Sequence, residues 1–163
     1  MAKSTASLRV FGDDLDPSEI TRLLGSAPSD CYRKGDLVSP KRATTRQYGM
    51  WSLSASDAEP DDFRLQVGTL LSSVTQDLCV WHSLGQRFQV DLFCGFFMDT
   101  GNQGFTLSVE TITALAARGI EPGFDIYSPS PEDEEKYLAS REEGATGAPS
   151  GETLYLPSEP SER

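Results

Sequence analysis

One histidine and three cysteines are the residues of this chain best suited to bind a metal or to act as nucleophiles. His82 follows Cys79 at a Cys-x-x-His spacing, which is typical of half of a zinc site. A structural zinc ion needs four ligands, and Cys31 and Cys94 form no second closely spaced pair. Cys94 lies in an apolar run, where a buried thiol is the expected state. We therefore predict no metal site and no catalytic residue, and the odd cysteine count indicates reduced thiols in a cytoplasm.

Asp13, Asp14 and Asp16 bring three carboxylates together within four positions. Such a cluster can bind a divalent cation. Aspartate is also favoured in turns and at helix N-caps, and Pro17 and Glu19 occupy the first and third helical positions after Asp16, as in a capping box. We interpret the cluster as a turn followed by the start of a helix.

Other carboxylates and the glycines add no recognisable catalytic motif. Asp91, Asp99 and Asp125 lie on or beside predicted strands, but no two of them are two residues apart on one strand face. An acid/base pair would therefore require residues that meet only in the folded chain. The glycines form no phosphate-binding motif, and we predict no cofactor.

The most unusual local charge is basic and falls in a predicted loop. Five of the 14 basic residues lie within 14 positions, namely Arg33, Lys34, Lys41, Arg42 and Arg46. Tyr32 and Tyr48 flank them, and aromatic residues beside arginine are typical of interface hot spots. This segment is the candidate binding site. Three interpretations remain open: a solvated loop, a contact for the chain's own acidic tail, or a site for an anionic partner.

The overall charge is strongly acidic, at −11 with a pI near 4.4. Residues 131–163 hold nine acidic and three basic residues, so this stretch carries −6 of the total. The low apolar content of its last twenty or so residues predicts a disordered acidic tail. The acidic balance argues against nucleic-acid binding and favours a basic partner. The first residues form no signal peptide, and no apolar run is long enough for a membrane span.

Hydrophobic periodicity and turn residues predict an α+β fold. The predicted elements are a strand (8–11), a helix (17–24), a long loop (26–47), a strand (48–53), a helix (63–78), two strands (88–97 and 105–107) joined by a hairpin, a helix after Ser108 that ends at Gly119, a strand (124–127) and a charged helix (131–141). We expect one domain over residues 5–128, with an antiparallel or mixed sheet and about three helices packed on one face. Residues 129–163 would form the charged helix and the tail.

The predicted core combines strand residues with one amphipathic stripe. It consists of Trp51, Leu53 and Phe93 with Phe63, Val67, Leu70, Leu71, Val74 and Leu78. The two helices that start at Asp16 and Ser108 also share a pattern, in which Leu15 and Leu107 precede the caps and pack on Ile20 and Ile112.

Several blocks of the chain resemble a bacterial family known as a domain of unknown function, number 4279. They are FGDDLDPSEITRLLG, GMWSLS, the CGFF strand with its hairpin and the closing FDIY, together with Arg33-Lys34-Gly35-Asp36, which is similar to an x-K-G-D segment of the family. The resemblance implies a small, stand-alone bacterial cytoplasmic protein and carries no enzymatic role. Some small α+β families of this kind are toxin-neutralising immunity proteins. Extending that role to this chain is an analogy.

Three functional hypotheses follow. The first is a non-enzymatic module that binds a basic protein partner, for example as an immunity protein does. The second is a protein that binds a small anion, or a modest enzyme, with Arg33, Lys34 and Arg46 holding the ligand and Asp13 or Asp125 as a carboxylate. The third is a self-associating module that uses a strand edge with Trp51 or with Phe93, Phe96 and Phe97. The oligomeric state stays open.

Overall fold

The computed structural model describes residues 1–39, 42–132, 135 and 138–139. The strands are β1 (Lys3–Gly12), β2 (Asp30–Tyr32), β3 (Leu37–Ser39), β4 (Arg42–Thr45), β5 (Gly49–Ser54), β6 (Gln89–Phe97) and β7 (Glu121–Tyr127). The helices are α1 (Pro17–Leu24), α2 (Phe63–Ser72), α3 (Leu78–Arg87) and α4 (Val109–Arg118). The described residues between 131 and 139 are also helical. The predicted acidic tail lies outside the described residues.

Five strands form one mixed sheet, in the order β2-β5-β1-β6-β7. The strand β1 is central and pairs antiparallel with β5 and β6, whereas β7 pairs parallel to β6. A parallel pair needs a crossover, and α4 lies in the segment that provides it. This confirms the predicted α+β class and the mixed sheet.

All four helices pack on one face of this sheet, as predicted, although we expected about three. On β1 the residues that point towards the helices are Ala6, Leu8 and Val10, and each is almost fully buried. They meet apolar residues from all four helices, which are Ile20 and Leu24 of α1, Phe63, Val67, Leu70 and Leu71 of α2, Trp81 and Leu84 of α3 and Leu115 of α4. Trp51 of β5 is fully buried in this layer and donates its indole N–H to Thr21 Oγ1 at 3.1 Å.

Both predicted helix starts are confirmed. Asp16 accepts a hydrogen bond from the Ser18 N–H at 3.0 Å, and Ser108 accepts one from the Thr111 N–H at 3.2 Å. Gly25 and Gly119 end α1 and α4 with φ values of 74° and 67°, which glycine adopts without steric cost.

At the first helix start, the carboxylate of Glu19 accepts a hydrogen bond from Arg87 of α3. At the second, Ile112 is 52% exposed and Leu107 is partly buried, and their predicted contact stays a prediction.

The predicted helix 63–78 is two helices. Its first part is α2, which buries Phe63, Val67, Leu70 and Leu71. The chain then leaves the helix, and the Thr75 N–H donates to the Leu24 carbonyl at 2.8 Å. Asp77 starts α3 by accepting from the Cys79 N–H at 2.9 Å. Leu78 is 47% exposed, so its assignment to the core is wrong. The apolar spacing of α2 does not continue into α3, because a new helix begins after Asp77.

Two other predicted elements are corrected by pairing between distant residues. The predicted loop 26–47 contains β2, which extends the sheet beside β5, and a separate hairpin of β3 and β4. The predicted strand 105–107 has no strand pairing. The Phe105 ring instead packs 4.7 Å from the Phe63 ring and 4.9 Å from the Phe124 ring. Two apolar residues on either side of a threonine indicate burial but do not distinguish a strand from a packed loop.

Candidate functional site

None of the helices α1 to α4 packs on the second face of the sheet, and we name it the uncovered face. Side chains alternate along a strand, so this face holds the residues of β1 that lie between the buried ones. It consists of Ser7, Arg9 and Phe11 of β1, Met50 of β5, Gln89, Asp91, Phe93 and Phe97 of β6, and Asp125 and Tyr127 of β7. Phe93 lies here, half-buried, and its predicted place in the core is wrong because it points away from the helices.

An ion pair between Arg9 and Asp91 lies at the centre of this face. The two residues are directly opposite each other on β1 and β6. Arg9 donates from Nε to Oδ1 of Asp91 at 2.8 Å and from Nη2 to Oδ2 at 2.7 Å. The guanidinium carbon also lies 4.6 Å from the ring centre of Phe93 and 5.1 Å from that of Phe11. The hydrogen bonds that Arg9 donates to the Asp91 carboxylate raise the pKa of Arg9. The guanidinium is therefore held in one position, although its side chain remains 28% exposed.

A cavity of about 560 Å³ opens beside this ion pair. Its lining residues are Arg9, Phe11, Gly12, Tyr48, Arg87, Gln89 and Asp91. The rings of Phe11 and Tyr48 meet edge to face, with their centres 5.5 Å apart, and form an apolar wall. The cavity therefore combines two guanidinium groups and one carboxylate with an aromatic side.

Arg87 is positioned at this cavity by α1 and by its own neighbour in sequence. Its Nη1 donates to Oε1 of Glu19 at 2.7 Å, and its guanidinium carbon lies 4.6 Å from the ring centre of Phe88. The Arg87 guanidinium holds the pKa of Glu19 below its ordinary value. Phe88 in turn packs against Gly12, because a Cβ atom at Gly12 would lie only 2.4 Å from Cδ1 of Phe88.

Arg33 and Lys34, from the predicted basic site, are engaged by the carboxylates that precede and start α1. Arg33 Nη2 lies 2.6 Å from Oδ1 of Asp16, and Lys34 Nζ lies 2.7 Å from Oδ2 of Asp13. The hydrogen bond from Arg33 lowers the pKa of Asp16. Much of the charge in this segment is thus balanced locally.

The remaining residues of the predicted site are divided between two neighbourhoods. Arg46 lies over the ring of Tyr32 at 4.0 Å, and the ring of Tyr32 is 6.4 Å from that of Tyr48. Tyr48 therefore links the basic segment to the cavity at Arg9. Arg42 is the first residue of β4, and Lys41 lies outside the described residues.

The histidine and cysteines do not converge in the structure. His82 is exposed on α3, in a groove that also contains Gly85 and Ala116. Burial raises the pKa of the Cys94 thiol to about 12, which disfavours the nucleophilic thiolate. Within residues 1–39, 42–132, 135 and 138–139, no group of three or more His, Cys, Asp or Glu side chains is placed to hold a metal ion.

The ion pair at the centre of the uncovered face was not identified from the sequence. The signal was present, because Arg9 and Asp91 are each a single charge between two apolar residues, in Leu-Arg-Val and Val-Asp-Leu. Two such residues indicate an ion pair once their strands are known to be neighbours. Asp91 was considered as a carboxylate, but its partner is 82 residues away in the chain.

No helix in the part of the chain that the structure describes is long and apolar enough to cross a membrane.

Comparisons with known proteins agree with the resemblance seen in the sequence. No curated protein and no solved structure gave a match. A family model described as Domain of unknown function (DUF4279) matches residues 2–129, which include every strand from β1 to β7. The chain therefore belongs to the DUF4279 family.

Proposed function

We propose that this protein is a non-enzymatic module that binds another protein through the uncovered face of its sheet. The observation that carries the proposal is the arrangement around Arg9, where an arginine is fixed by a carboxylate between two aromatic rings on a half-exposed surface. Arginine and aromatic side chains dominate the binding energy of many protein interfaces. Fixing them before binding reduces the entropy that is lost when a complex forms.

A second aromatic pair extends this surface towards the β7 edge. The rings of Phe97 and Tyr127 stack with their centres 4.5 Å apart and their planes 6° from parallel. Their residues are 38% and 43% exposed. An exposed, ordered aromatic pair of this kind supports contact with a partner.

The charge of the chain supports a basic partner. A net charge of −11 accelerates association with a positively charged protein by electrostatic steering. A toxin-neutralising protein of the bacterial cytoplasm would have this property, and we extend the proposal to that role by analogy. The association rate should then fall steeply as salt is added.

The residues first considered for the other two hypotheses differ in their surroundings. Arg33 and Lys34 already pair with Asp16 and Asp13, so an anion there would meet charges that are balanced locally. Self-association through Trp51 or Phe96 would require side chains that are almost fully buried, whereas Phe93 and Phe97 lie on the uncovered face, where a second copy of the chain is the alternative partner.

Affinity purification with two matched double variants tests the proposal. The tagged wild type is compared with Phe97→Lys/Tyr127→Lys on the uncovered face and with Val109→Lys/Ile112→Lys on α4. All four residues are exposed and apolar, and both variants add the same charge. We expect one stoichiometric protein to co-purify with the wild type and the α4 variant and to be lost from the uncovered-face variant.

Two results would contradict the proposal. A partner retained equally by both double variants would place the interface elsewhere on the molecule. An association rate that does not change with salt would rule out attraction of a basic partner by net charge.

A further inference from the structure

We propose that the cavity beside Arg9 binds a small organic carboxylate whose body is aromatic or otherwise apolar. This site is distinct from the basic segment around Arg33, and the inference goes beyond protein binding. Its volume of about 560 Å³ falls in the range of small-molecule sites, which is roughly 300–1,000 Å³.

Arg9 can bind a second carboxylate without releasing Asp91. A guanidinium group has five N–H donors, and the pair with Asp91 uses one on Nε and one on Nη2. The three remaining donors include two parallel N–H bonds on the edge formed by Nη1 and Nη2. A planar carboxylate fits that edge with two hydrogen bonds.

The position of Arg9 is already fixed, which favours binding of a ligand. The carboxylate of Asp91 holds one edge of the guanidinium, and the rings of Phe11 and Phe93 lie beside it. A ligand therefore does not need to order a flexible arginine side chain, and less conformational entropy is lost on binding.

The lining of the cavity holds more basic than acidic side chains. Arg87 adds a second guanidinium group, which is paired with Glu19, and Asp91 is the only acidic residue among the described lining residues. Gln89 adds an exposed side-chain amide that can donate a hydrogen bond. Each guanidinium group thus already has one carboxylate partner, and the edge of Arg9 that Asp91 does not use is the feature that favours a ligand carboxylate.

The aromatic wall indicates the body of the ligand. Phe11 and Tyr48 meet edge to face at 5.5 Å on one side of the cavity. An apolar or aromatic ligand body would bury surface against these rings, whereas a bare inorganic anion would leave them unused.

The test uses NMR titration of the full-length, ¹⁵N-labelled protein with benzoate, at low salt. Inorganic phosphate serves as a probe of negative charge without a ring, and benzylamine as a probe of the same ring with a positive charge. We expect benzoate to shift the signals of Arg9 Nε–H and the Gln89 amide in a saturable way, with a dissociation constant of about 1 mM. Benzylamine and phosphate should each bind at least about tenfold more weakly.

The variants are chosen so that the fold is preserved. Arg9 is not substituted, because its removal would leave the half-buried Asp91 without its partner. The main variant is Gln89→Glu, which places a negative charge on an exposed residue of the cavity. The control is Gln86→Glu, an identical change at an exposed residue of α3 outside this cavity. We expect about tenfold weaker benzoate binding in Gln89→Glu and no change in Gln86→Glu.

Three results would overturn the proposal: no saturable shift up to roughly 20 mM benzoate, phosphate or benzylamine binding as tightly as benzoate, or equal affinity in the two glutamate variants. Each of these outcomes can occur whether or not a protein partner co-purifies, so this test is separate from that of the proposed function.

Discussion

Single side chains decide how the cavity is built, and Gly12 is the clearest case. It lies at the end of β1, where the ring of Phe88 occupies the space that a Cβ atom would need. Phe88 is buried and its neighbour Arg87 lines the cavity, so this glycine links core packing to the candidate site.

Gly12→Ala should therefore destabilise the protein by about 1–3 kcal/mol, because the added methyl group overlaps a buried ring. Gly123→Ala is the matched control, since a Cβ atom at Gly123 meets no atom within 4 Å. Urea unfolding curves measure both changes. Equal stability of the two variants would show that Phe88 moves aside at little cost.

The pair of Glu19 and Arg87 predicts a dependence of stability on pH. Arg87 favours the charged form of Glu19, so the pKa of this carboxyl in the folded protein is below its ordinary value of 4.5. The contribution of this ion pair to the free energy of unfolding is therefore complete above the pKa that Glu19 has in the unfolded chain. It is lost as the pH falls through the lower pKa that Glu19 has in the folded protein.

Comparison of the wild type with Glu19→Gln isolates this contribution. The variant should be less stable at pH 7, and the difference between the two proteins should shrink as the pH is lowered below about 4.5. Denaturant midpoints from pH 7 to pH 3 give the measurement. A difference that stays constant in acid would mean that the ion pair does not form in solution.

At the level of helices and strands, the break between α2 and α3 changes which residues form the core. The spacing of Phe63, Val67 and Leu71 predicts a buried helix face, and all three residues are buried. Leu78 continues the same spacing but follows the new N-cap Asp77 and is largely exposed. Periodicity identifies a buried face only while the helix continues.

Leu71→Ala and Leu78→Ala compare the two sides of this break. Leu71 is 7% exposed, and its truncation should cost about 2–5 kcal/mol because it leaves a cavity in the core. Leu78 is 47% exposed, and its truncation should cost less than about 1 kcal/mol. Urea unfolding measures both. Equal losses would indicate one continuous helix.

At the level of the whole molecule, the buried apolar residues come from one part of the chain. Among the described residues they extend from Ala2 to Ile120. The net charge is divided differently, since residues 131–163 carry −6 of the total −11. The core of the described residues thus ends at Ile120, whereas slightly more than half of the net charge follows residue 130, and the predicted boundary near residue 128 remains a prediction.

Removal of residues 142–163 tests this division. We expect the melting temperature to change by less than about 2 °C, because the removed segment contains few apolar residues. The association rate with a basic partner should fall, since the deletion removes five acidic residues and Arg163, which is a net charge of −4. A fall of roughly 5 °C or more would show that this segment contributes to the fold.

Local chemistry was sufficient to predict most strands and the starts of α1 and α4. Asp16 with Pro17, and Ser108 with Gly119 at the far end, define helix boundaries through hydrogen bonds between near neighbours in the chain. The alternation of buried and partly buried side chains along β1 similarly identifies the residues that face the helices. Interactions within a few residues have the same form in any fold, which makes them visible in the sequence.

The candidate site depends on interactions that link distant parts of the chain. Arg9 and Asp91 form an ion pair only because β1 and β6 are neighbours, and Tyr48 joins the same cavity from the residue before β5. The parallel pairing of β7 with β6 also places Tyr127 against Phe97. Strand order and register result from packing of the whole core, which no local stretch of sequence encodes. For that reason the basic segment stood out in the sequence, whereas the cavity at Arg9 emerged only from the folded chain.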